Sequence, residues 1–350
     1  MNSKKWLKIV LTSSIIIIGF VGIINYIVDP LWTFSHSNFL NAKQKGFNER
    51  QQKTNYIYFN KNLTYDSILI GSSRSAGINR NDFIGMNLFN YSSSALNPNE
   101  YRDYINFAKK TKGKDLKNII IGIDFFGTNG IKNGEFNSPL TYIQNTTSFA
   151  YKYKMIFSKS AFNQTTRNIR ISISGRDQYY DRDDVKHFKI IAEPKRKIRY
   201  EKHLKSHLHE LTGKNYKYDE KYIGYLKTLK EENPNTNFII FSSPITANLL
   251  VSIVKNIDRI EEYERWLKET ISVFAEVHHF MNINSVTKKL QNYLDDDHYY
   301  PHIGKLVANK LSNTPNQDIP DDFGIILTKD NIDSYIQDFK KQIQNYNFSQ

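Results

Sequence analysis

A serine-rich turn that follows a short apolar run is the first place in this chain where covalent chemistry could occur. Residues 68–70 read Ile-Leu-Ile, and residues 71–75 read Gly-Ser-Ser-Arg-Ser. A serine at such a turn can act as a nucleophile, because backbone N–H groups at the start of a helix stabilise the oxyanion that forms on attack. An ordinary strand-to-helix turn without chemistry is the alternative interpretation.

The base that such a serine needs is offered near the C-terminus. Residues 295–300 read Asp-Asp-Asp-His-Tyr-Tyr. Asp295 and His298 are three positions apart, so the two side chains can face the same side of one turn and meet. A carboxylate held against one imidazole nitrogen orients the ring and supports its role as a base. The alternative is a solvated helix start whose carboxylates cap the helix.

These groups can be brought together by an alternating series of strands and helices. Apolar runs predict short buried strands at residues 66–71, 87–91, 117–124, 237–243 and 279–283. Periodicity and capping residues predict helices at residues 97–110, 219–230, 258–277 and 304–311. The alternation predicts an α/β fold with a doubly wound, mostly parallel sheet flanked by helices. Ligands of such sheets bind at the carboxyl ends of the strands.

We expect the α/β domain to cover residues 65–312. A charged insertion at residues 160–215 interrupts it, and a C-terminal arm at residues 313–350 packs on the sheet or on the linker that precedes the domain. The insertion is rich in lysine and arginine. It is either a solvated surface or a flank that attracts an anionic polymer, since clustered basic residues raise the local anion concentration.

The blocks around these turns resemble, in order and composition, those of the SGNH (GDSL-like) hydrolases, over about residues 66–310. The first block of that family is a strand followed by Gly-Asp-Ser, and Gly71-Ser72-Ser73 matches it with Ser72 in place of the aspartate. The last block is Asp-x-x-His, which Asp295 and His298 match. The resemblance implies that Ser73 is the nucleophile, His298 the base and Asp295 the acid that orients it.

The family's second and third blocks supply the oxyanion hole, and this chain departs from both. Ser94 stands where the second block has a glycine, although any backbone N–H could serve there. Asp124 stands where the third block has an asparagine. An ionised carboxylate cannot donate a hydrogen bond, so Asp124 must be protonated, reoriented or uninvolved. Arg74 could bind an anionic group of the substrate, or it could pair with a carboxylate such as Asp124.

The N-terminal segment predicts a membrane anchor. No charged residue occurs from Ile9 to Val28, and a helix of that length spans about 30 Å, the thickness of a bilayer core. Lysines at positions 4, 5 and 8 precede it, which places residues 1–8 in the cytoplasm and the rest outside. The segment lacks the small-x-small pattern of a cleavable signal peptide. We therefore expect an uncleaved signal-anchor at residues 9–28, followed by a linker at residues 29–64 that becomes helical around residues 43–60.

Composition excludes several kinds of site. The 350 residues include no cysteine, so disulfides, thiolate metal sites and a cysteine nucleophile are ruled out. Lys+Arg number 48 against 35 Asp+Glu, a net charge of +13, but a domain outside the membrane is not expected to meet nucleic acid. His203, His207 and His209 have metal-ligand spacing without a carboxylate pattern beside them. We predict neither a metal nor a cofactor.

The anchor and the Gly-Ser-Ser variant are similar to one branch of the family, near the D-alanyl transfer protein of teichoic acid operons and the alginate-type acetylation proteins. This resemblance implies an extracytoplasmic O-acyl esterase or acyltransferase that modifies a cell-envelope polysaccharide through an acyl-Ser73 intermediate. A membrane-bound O-acyltransferase is the implied partner. The alternative is a non-catalytic SGNH-like scaffold or an anionic-glycan-binding protein of an envelope-modification system.

Overall fold

The computed structural model describes residues 3–131, 136–210, 212–213, 215–315 and 318–348. The predicted cytoplasmic tip, charged insertion and C-terminal arm also include positions outside the described residues, namely 1–2, 211, 214, 316–317 and 349–350.

The described helices and strands alternate along much of the chain. The helices are α1 (Ser3–Val28), α2 (Glu49–Phe59), α3 (Ser73–Ala76), α4 (Pro98–Lys112), α5 (Pro139–Thr147), α6 (Tyr151–Ile156), α7 (Lys159–Ser174), α8 (Glu193–Glu210), α9 (Tyr222–Glu231), α10 (Ala247–Val251), α11 (Ile260–Phe274), α12 (Pro301–Leu311) and α13 (Ile332–Gln344). The strands are β1 (Ser67–Ile70), β2 (Leu88–Asn90), β3 (Asn118–Ile123), β4 (Gln178–Tyr180), β5 (Lys186–Phe188), β6 (Asn237–Ser242), β7 (Glu276–His279) and β8 (Ile325–Thr328).

The chain divides into two compact units. The N-terminal unit comprises Met1–Leu63 and Asn137–Lys189, and the α/β unit comprises Thr64–Phe136 and Ile190–Gln350. The α/β unit begins at Thr64, one residue before the predicted start of the domain at residue 65, whereas the interruption at Asn137–Lys189 overlaps only part of the predicted insertion at residues 160–215.

The α/β unit is built on a sheet that, within the described residues, has the strand order β2-β1-β3-β6-β7-β8. All neighbouring strands are parallel except β7 and β8. The predicted mixed α/β architecture with a mostly parallel sheet flanked by helices is confirmed. Strands β1 and β3 are buried along their whole length, which explains why both read as continuous apolar runs rather than as alternating patterns.

Two glycines let helix α3 lie close to the sheet. A Cβ atom at Gly122 would overlap the Ser75 hydroxyl, and one at Gly71 would lie 2.9 Å from the carbonyl oxygen of Gly122. A side chain at either position would push α3 away from the ends of β1 and β3, because a packed interior has no room to absorb it. These glycines therefore determine the position of Ser73, the first residue of α3.

The C-terminal part of the sheet differs from its prediction in two ways. β7 begins at Glu276, three residues before the predicted strand, because α11 ends at Phe274 and the next residue, Ala275, has a φ of 72° that ends the helix. The predicted C-terminal arm contributes β8, which pairs antiparallel with β7. An antiparallel edge strand on a parallel sheet is common, but nothing local in the sequence specifies which edge it joins.

The N-terminal unit contains the apolar helix α1. It is 26 residues long, and its most apolar window has a mean hydropathy of 2.4 with little of it buried. By length and composition α1 could cross a membrane, and it is the one helix of the described residues that meets both conditions. Its last turns pack inside the unit, where Asn25 Nδ2 donates to the Ile156 carbonyl oxygen at 2.8 Å.

The segment predicted as a linker contains α2, whose polar side chains are buried inside the N-terminal unit. Gln51 Nε2 donates to Thr146 Oγ1 at 2.8 Å, and the fully buried Lys53 ammonium lies 3.3 Å from the Asp184 carboxylate. Buried polar groups require such partners. Because the partners come from residues 137–189, that stretch belongs with α2 in the structure rather than with the α/β unit.

Candidate active site

Ser73 and His298 are brought into hydrogen-bonding contact although 225 residues separate them. The Ser73 hydroxyl oxygen lies 2.9 Å from His298 Nε2. His298 Nδ1 lies 2.8 Å from Asp295 Oδ1. The serine, imidazole and carboxylate are thus connected in the order that a serine nucleophile, its base and the orienting acid require.

The sheet explains why Ser73 reaches this place. From β1 the chain passes to β2 on one side of the sheet, whereas β3 lies on the other side of β1. At such a reversal of strand order a crevice opens beyond the carboxyl ends of the strands. Ser73 is the first residue of α3, immediately beyond β1, with the Ser72 hydroxyl accepting a hydrogen bond from the Arg74 N–H.

The Asp295 carboxylate is fully buried and held on both oxygens. Its Oδ1 also accepts the backbone N–H of His298 at 2.9 Å, which closes the turn between the two residues. Its Oδ2 accepts from Nε and Nη2 of Arg199 on α8, each at 3.2 Å. The spacing of three that predicted the contact is therefore realised as a turn rather than as a helix start.

A second carboxylate meets the same imidazole nitrogen. Asp297 Oδ1 lies 2.6 Å from His298 Nδ1, a contact that the spacing of the residues does not predict. Burial lowers the pKa of His298, but the neighbouring Asp295 and Asp297 carboxylates raise it by more, so its pKa lies above the usual range. This electrostatic field stabilises the imidazolium that forms when His298 takes a proton.

Arg74 forms ion pairs on both sides of its guanidinium. Its Nη1 donates to Asp124 Oδ1 at 2.9 Å, and its Nη2 and Nε donate to Asp297 Oδ2 at 2.8 and 3.2 Å. Arg74 is 3% exposed. Of the two roles predicted for it, substrate binding and pairing with a carboxylate, the structure shows the ion pair. Arg74 connects α3 to the end of β3 and to the turn that carries Asp297.

Asp124 and Ser94 lie on the turns where they were predicted. Asp124 directly follows β3 and is buried against Arg74, which leaves no amide-like donor at this position. Ser94 lies half-buried in the loop after β2, and that loop is tied to the β1 turn because the Ser93 N–H donates to the Gly71 carbonyl oxygen at 3.1 Å. A backbone N–H of this loop remains the predicted oxyanion donor.

Two histidines of α8 lie beside the adjacent carboxylates. His203 Nδ1 hydrogen-bonds Asp296 Oδ1, and His207 Nδ1 lies 3.6 Å from both Asp296 Oδ2 and Asp297 Oδ2. The hydrogen bond to Asp296 raises the pKa of His203, whereas burial lowers the pKa of His207 to about 3. The i, i+4 spacing of these histidines is visible in the sequence, but the carboxylates that they meet come from about 90 positions later, so no local pattern indicates the contact.

No model of a known protein family and no curated protein matches this chain. The chemistry has to be inferred from the site itself. A half-buried serine hydroxyl contacts an imidazole, and a buried carboxylate orients that imidazole. In its neutral form the imidazole can take the serine proton and return it to a leaving group. Because the pKa of His298 is raised to about 10, alkaline pH favours this form.

Proposed function

We propose that this chain is a serine O-acyl esterase or O-acyltransferase that works through an ester of Ser73. The observation that carries the proposal is the 2.9 Å contact of Ser73 Oγ with His298 Nε2, together with the 2.8 Å contact of His298 Nδ1 with Asp295. Ser73 meets His298, which lies 225 positions later, and Asp295 lies behind His298, in the order needed for nucleophilic catalysis. Their motifs resemble the first and last blocks of the SGNH hydrolases.

The proposed reaction has two halves. Ser73 Oγ attacks the carbonyl carbon of an acyl donor while His298 Nε2 accepts the hydroxyl proton, and the bond to the leaving alcohol then breaks as His298 returns the proton to that alcohol. In the second half, His298 deprotonates a glycan hydroxyl or a water, whose oxygen attacks the acyl-Ser73 ester and releases the serine. Asp295 holds the imidazole in the required orientation throughout.

In this reaction, backbone N–H groups of the turn at Ser73 and of the loop that contains Ser94 would stabilise the oxyanion by donating hydrogen bonds to it. Asp124 does not act as donor in this proposal, since it accepts from Arg74. Arg74 is a positioning residue whose ion pairs hold α3 against the turn carrying the base. Loss of one oxyanion donor typically lowers kcat by ~10²–10³. Without an amide donor at position 124, we therefore expect the two backbone donors to support catalysis at a rate reduced by that factor.

The proposed substrate is an acylated cell-envelope polysaccharide outside the membrane. The support is the apolar helix α1 with lysines before it, which predicts that the α/β unit lies on the outer side. The resemblance to the acetylation and D-alanyl transfer branch suggests a membrane-bound O-acyltransferase as the partner that supplies acyl groups.

A serine-directed fluorophosphonate tests the proposal on the detergent-solubilised full chain. We expect the probe to label the wild type and to leave Ser73→Ala unlabelled. Ser75→Ala is the matched control, because this serine lies in the same helix but its hydroxyl is buried and has no hydrogen-bond partner among the described residues. Labelling of this variant should match that of the wild type.

Failure of a folded wild type to react would contradict the catalytic proposal. It would favour the non-catalytic scaffold. The observation behind that alternative is Asp124, which accepts a hydrogen bond from Arg74 at the place where the SGNH family has an amide that donates to the oxyanion. Binding of an anionic glycan that survives Ser73→Ala and weakens steeply with salt would favour the glycan-binding alternative.

The absence of cysteine from the chain makes the orientation directly testable. We expect a single cysteine at the exposed position Lys227 to react with a membrane-impermeant maleimide in intact cells. A cysteine at Lys5 should react only after permeabilisation, and the wild type should not react at all. The reverse pattern would contradict the proposed topology.

A further inference from the structure

Two buried polar atoms without a hydrogen-bond partner among the described residues face each other behind the candidate active site. They are His207 Nδ1 and Asp296 Oδ2. His207 is 2% exposed, and its Nδ1 faces both carboxylates at 3.6 Å, too far for a hydrogen bond. Orphaned buried polar atoms are rare in folded proteins and require an explanation.

We propose that His203, His207, Asp296 and Asp297 form a binding site for a divalent transition-metal ion, with zinc as the best match. One ligand atom from each residue lies within 4.8 Å of the other three. Two imidazole nitrogens and two carboxylate oxygens are a donor set that zinc accepts. A cation between these residues would give each of the orphaned atoms a partner.

The separations between the candidate ligands are close to those around a tetrahedral ion, although the two histidines face different carboxylate oxygens: Oδ1 of Asp296 and Asp297 lies toward His203, and Oδ2 of each lies toward His207. Zinc bonds of about 2.0–2.1 Å place neighbouring ligand atoms about 3.4 Å apart in a tetrahedron. His207 Nδ1 lies 3.6 Å from oxygens of Asp296 and Asp297, and His203 Nδ1 lies 3.7 Å from Asp297 Oδ1. The direct hydrogen bond between His203 and Asp296 must open by about 1 Å, which a half-buried side chain such as His203 can accommodate.

The local charge also favours a cation. The carboxylates of Asp124, Asp295, Asp296 and Asp297 are all buried, and the guanidinium groups that contact them are those of Arg74 and Arg199. These carboxylates outnumber the two guanidinium groups, so the remaining negative charge must be met by the neighbouring imidazoles of His203 and His298 or by a bound cation. Uncompensated buried charge is costly.

The geometry assigns the ion a structural role. All four ligands come from the protein, as in closed zinc sites that stabilise folds, rather than from three residues and an open position. The ion would join α8 to the turn that carries the candidate acid and base. The His203 ring already packs edge-on against the His298 ring, with 5.7 Å between centroids, so the ion would lie next to His298 without touching substrate.

Zinc binding by the full chain in detergent, after dialysis against a chelator, tests the inference. We expect one Zn²⁺ per chain, a higher midpoint of thermal unfolding with Zn²⁺ than without it, and a visible absorption spectrum typical of tetrahedral Co²⁺ when cobalt is added. His203→Gln and Asp296→Asn should each weaken Zn²⁺ binding by more than about 100-fold, the upper end of what loss of an outer-shell partner costs. His209→Gln is the matched control: it changes an exposed histidine of the same helix and should bind like the wild type.

Absence of stoichiometric binding by the folded wild type would overturn the inference, as would an equal loss of binding in His209→Gln. His203→Gln is the primary substitution, because the ring of His203 is half-exposed and its replacement should leave the fold intact. His207 is buried, so His207→Gln provides a further check only where circular dichroism shows a native fold. The outcome is independent of catalysis: Ser73→Ala should bind Zn²⁺ like the wild type, and a failure to bind Zn²⁺ leaves fluorophosphonate labelling of Ser73 to be judged separately.

Discussion

Replacing His298 by alanine is expected to lower kcat for ester cleavage by roughly 10⁴- to 10⁶-fold, because it removes the imidazole that contacts the Ser73 hydroxyl and can take its proton. The expectation rests on the 2.9 Å contact of its Nε2 with the serine hydroxyl. Hydrolysis of a chromogenic aryl acetate by the detergent-solubilised full chain measures it, with His298→Gln as a second variant of similar size.

The two carboxylates at His298 Nδ1 refine this expectation. Asp295→Asn should cost less than the roughly 10⁴-fold that loss of a sole orienting carboxylate costs, because Asp297 Oδ1 lies 2.6 Å from the same nitrogen. The double variant Asp295→Asn, Asp297→Asn should lose more than the product of the two single losses, since either carboxylate then no longer substitutes for the other.

His302→Ala is the matched control for these variants. His302 is exposed and lies four residues beyond His298, at the start of α12, so the rate should stay at the wild-type value. A folded His298→Ala enzyme that retains the wild-type rate would contradict the assignment of His298 as base.

Arg74→Met is expected to destabilise the α/β unit by about 3–5 kcal/mol, the cost of removing one partner of a buried ion pair. The substitution keeps much of the side-chain length but leaves the carboxylates of Asp124 and Asp297 buried without this guanidinium. Unfolding in denaturant, followed by the fluorescence of the buried Trp266 in a Trp6→Phe, Trp32→Phe background, measures the change. Arg74→Lys should fall in between, because lysine keeps the charge but cannot reproduce the forked contact.

An exposed arginine with the same number of carboxylate partners is the control. Arg265 contacts Glu220 and Glu269, but 40% of its side chain is exposed. Solvent screens such pairs, so Arg265→Met should change the free energy of unfolding by no more than about 1 kcal/mol. Equal effects of the two substitutions would show that burial does not give the Arg74 network its energetic weight. Adding Asp124→Asn to Arg74→Met should recover part of the loss by removing one unpaired charge.

The strands that position the candidate site were predictable because their burial is continuous. The run at residues 117–124 predicted a buried strand, and β3 covers Asn118–Ile123. The same holds for β1 and for the capped start of α4, where Asn97 and Glu100 form a capping box. Each of these signals is local: a run of apolar residues, a glycine at a close approach, or a capping residue before proline.

The roles within the three consecutive aspartates were only partly predictable. The spacing of three selected Asp295 as the partner of His298, and the structure places the two in contact. The spacing gave no reason to expect that Asp297 meets the same ring nitrogen or that Asp296 faces the histidines of α8. Adjacent residues in a turn point in different directions, and what each one meets depends on elements far away in the chain.

From its order of residue types alone, this chain specified a mixed α/β unit with a mostly parallel sheet, an apolar N-terminal helix, and the serine, aspartate and histidine to examine, because burial periodicity and short motifs are local properties. Three features depend on tertiary packing alone. Residues 137–189 join the N-terminal unit, β8 pairs antiparallel with β7 at the edge of the sheet, and Arg74 binds two carboxylates. Those outcomes depend on which distant partner satisfies a buried charge or an unpaired strand edge, and that choice exists only once the chain has folded.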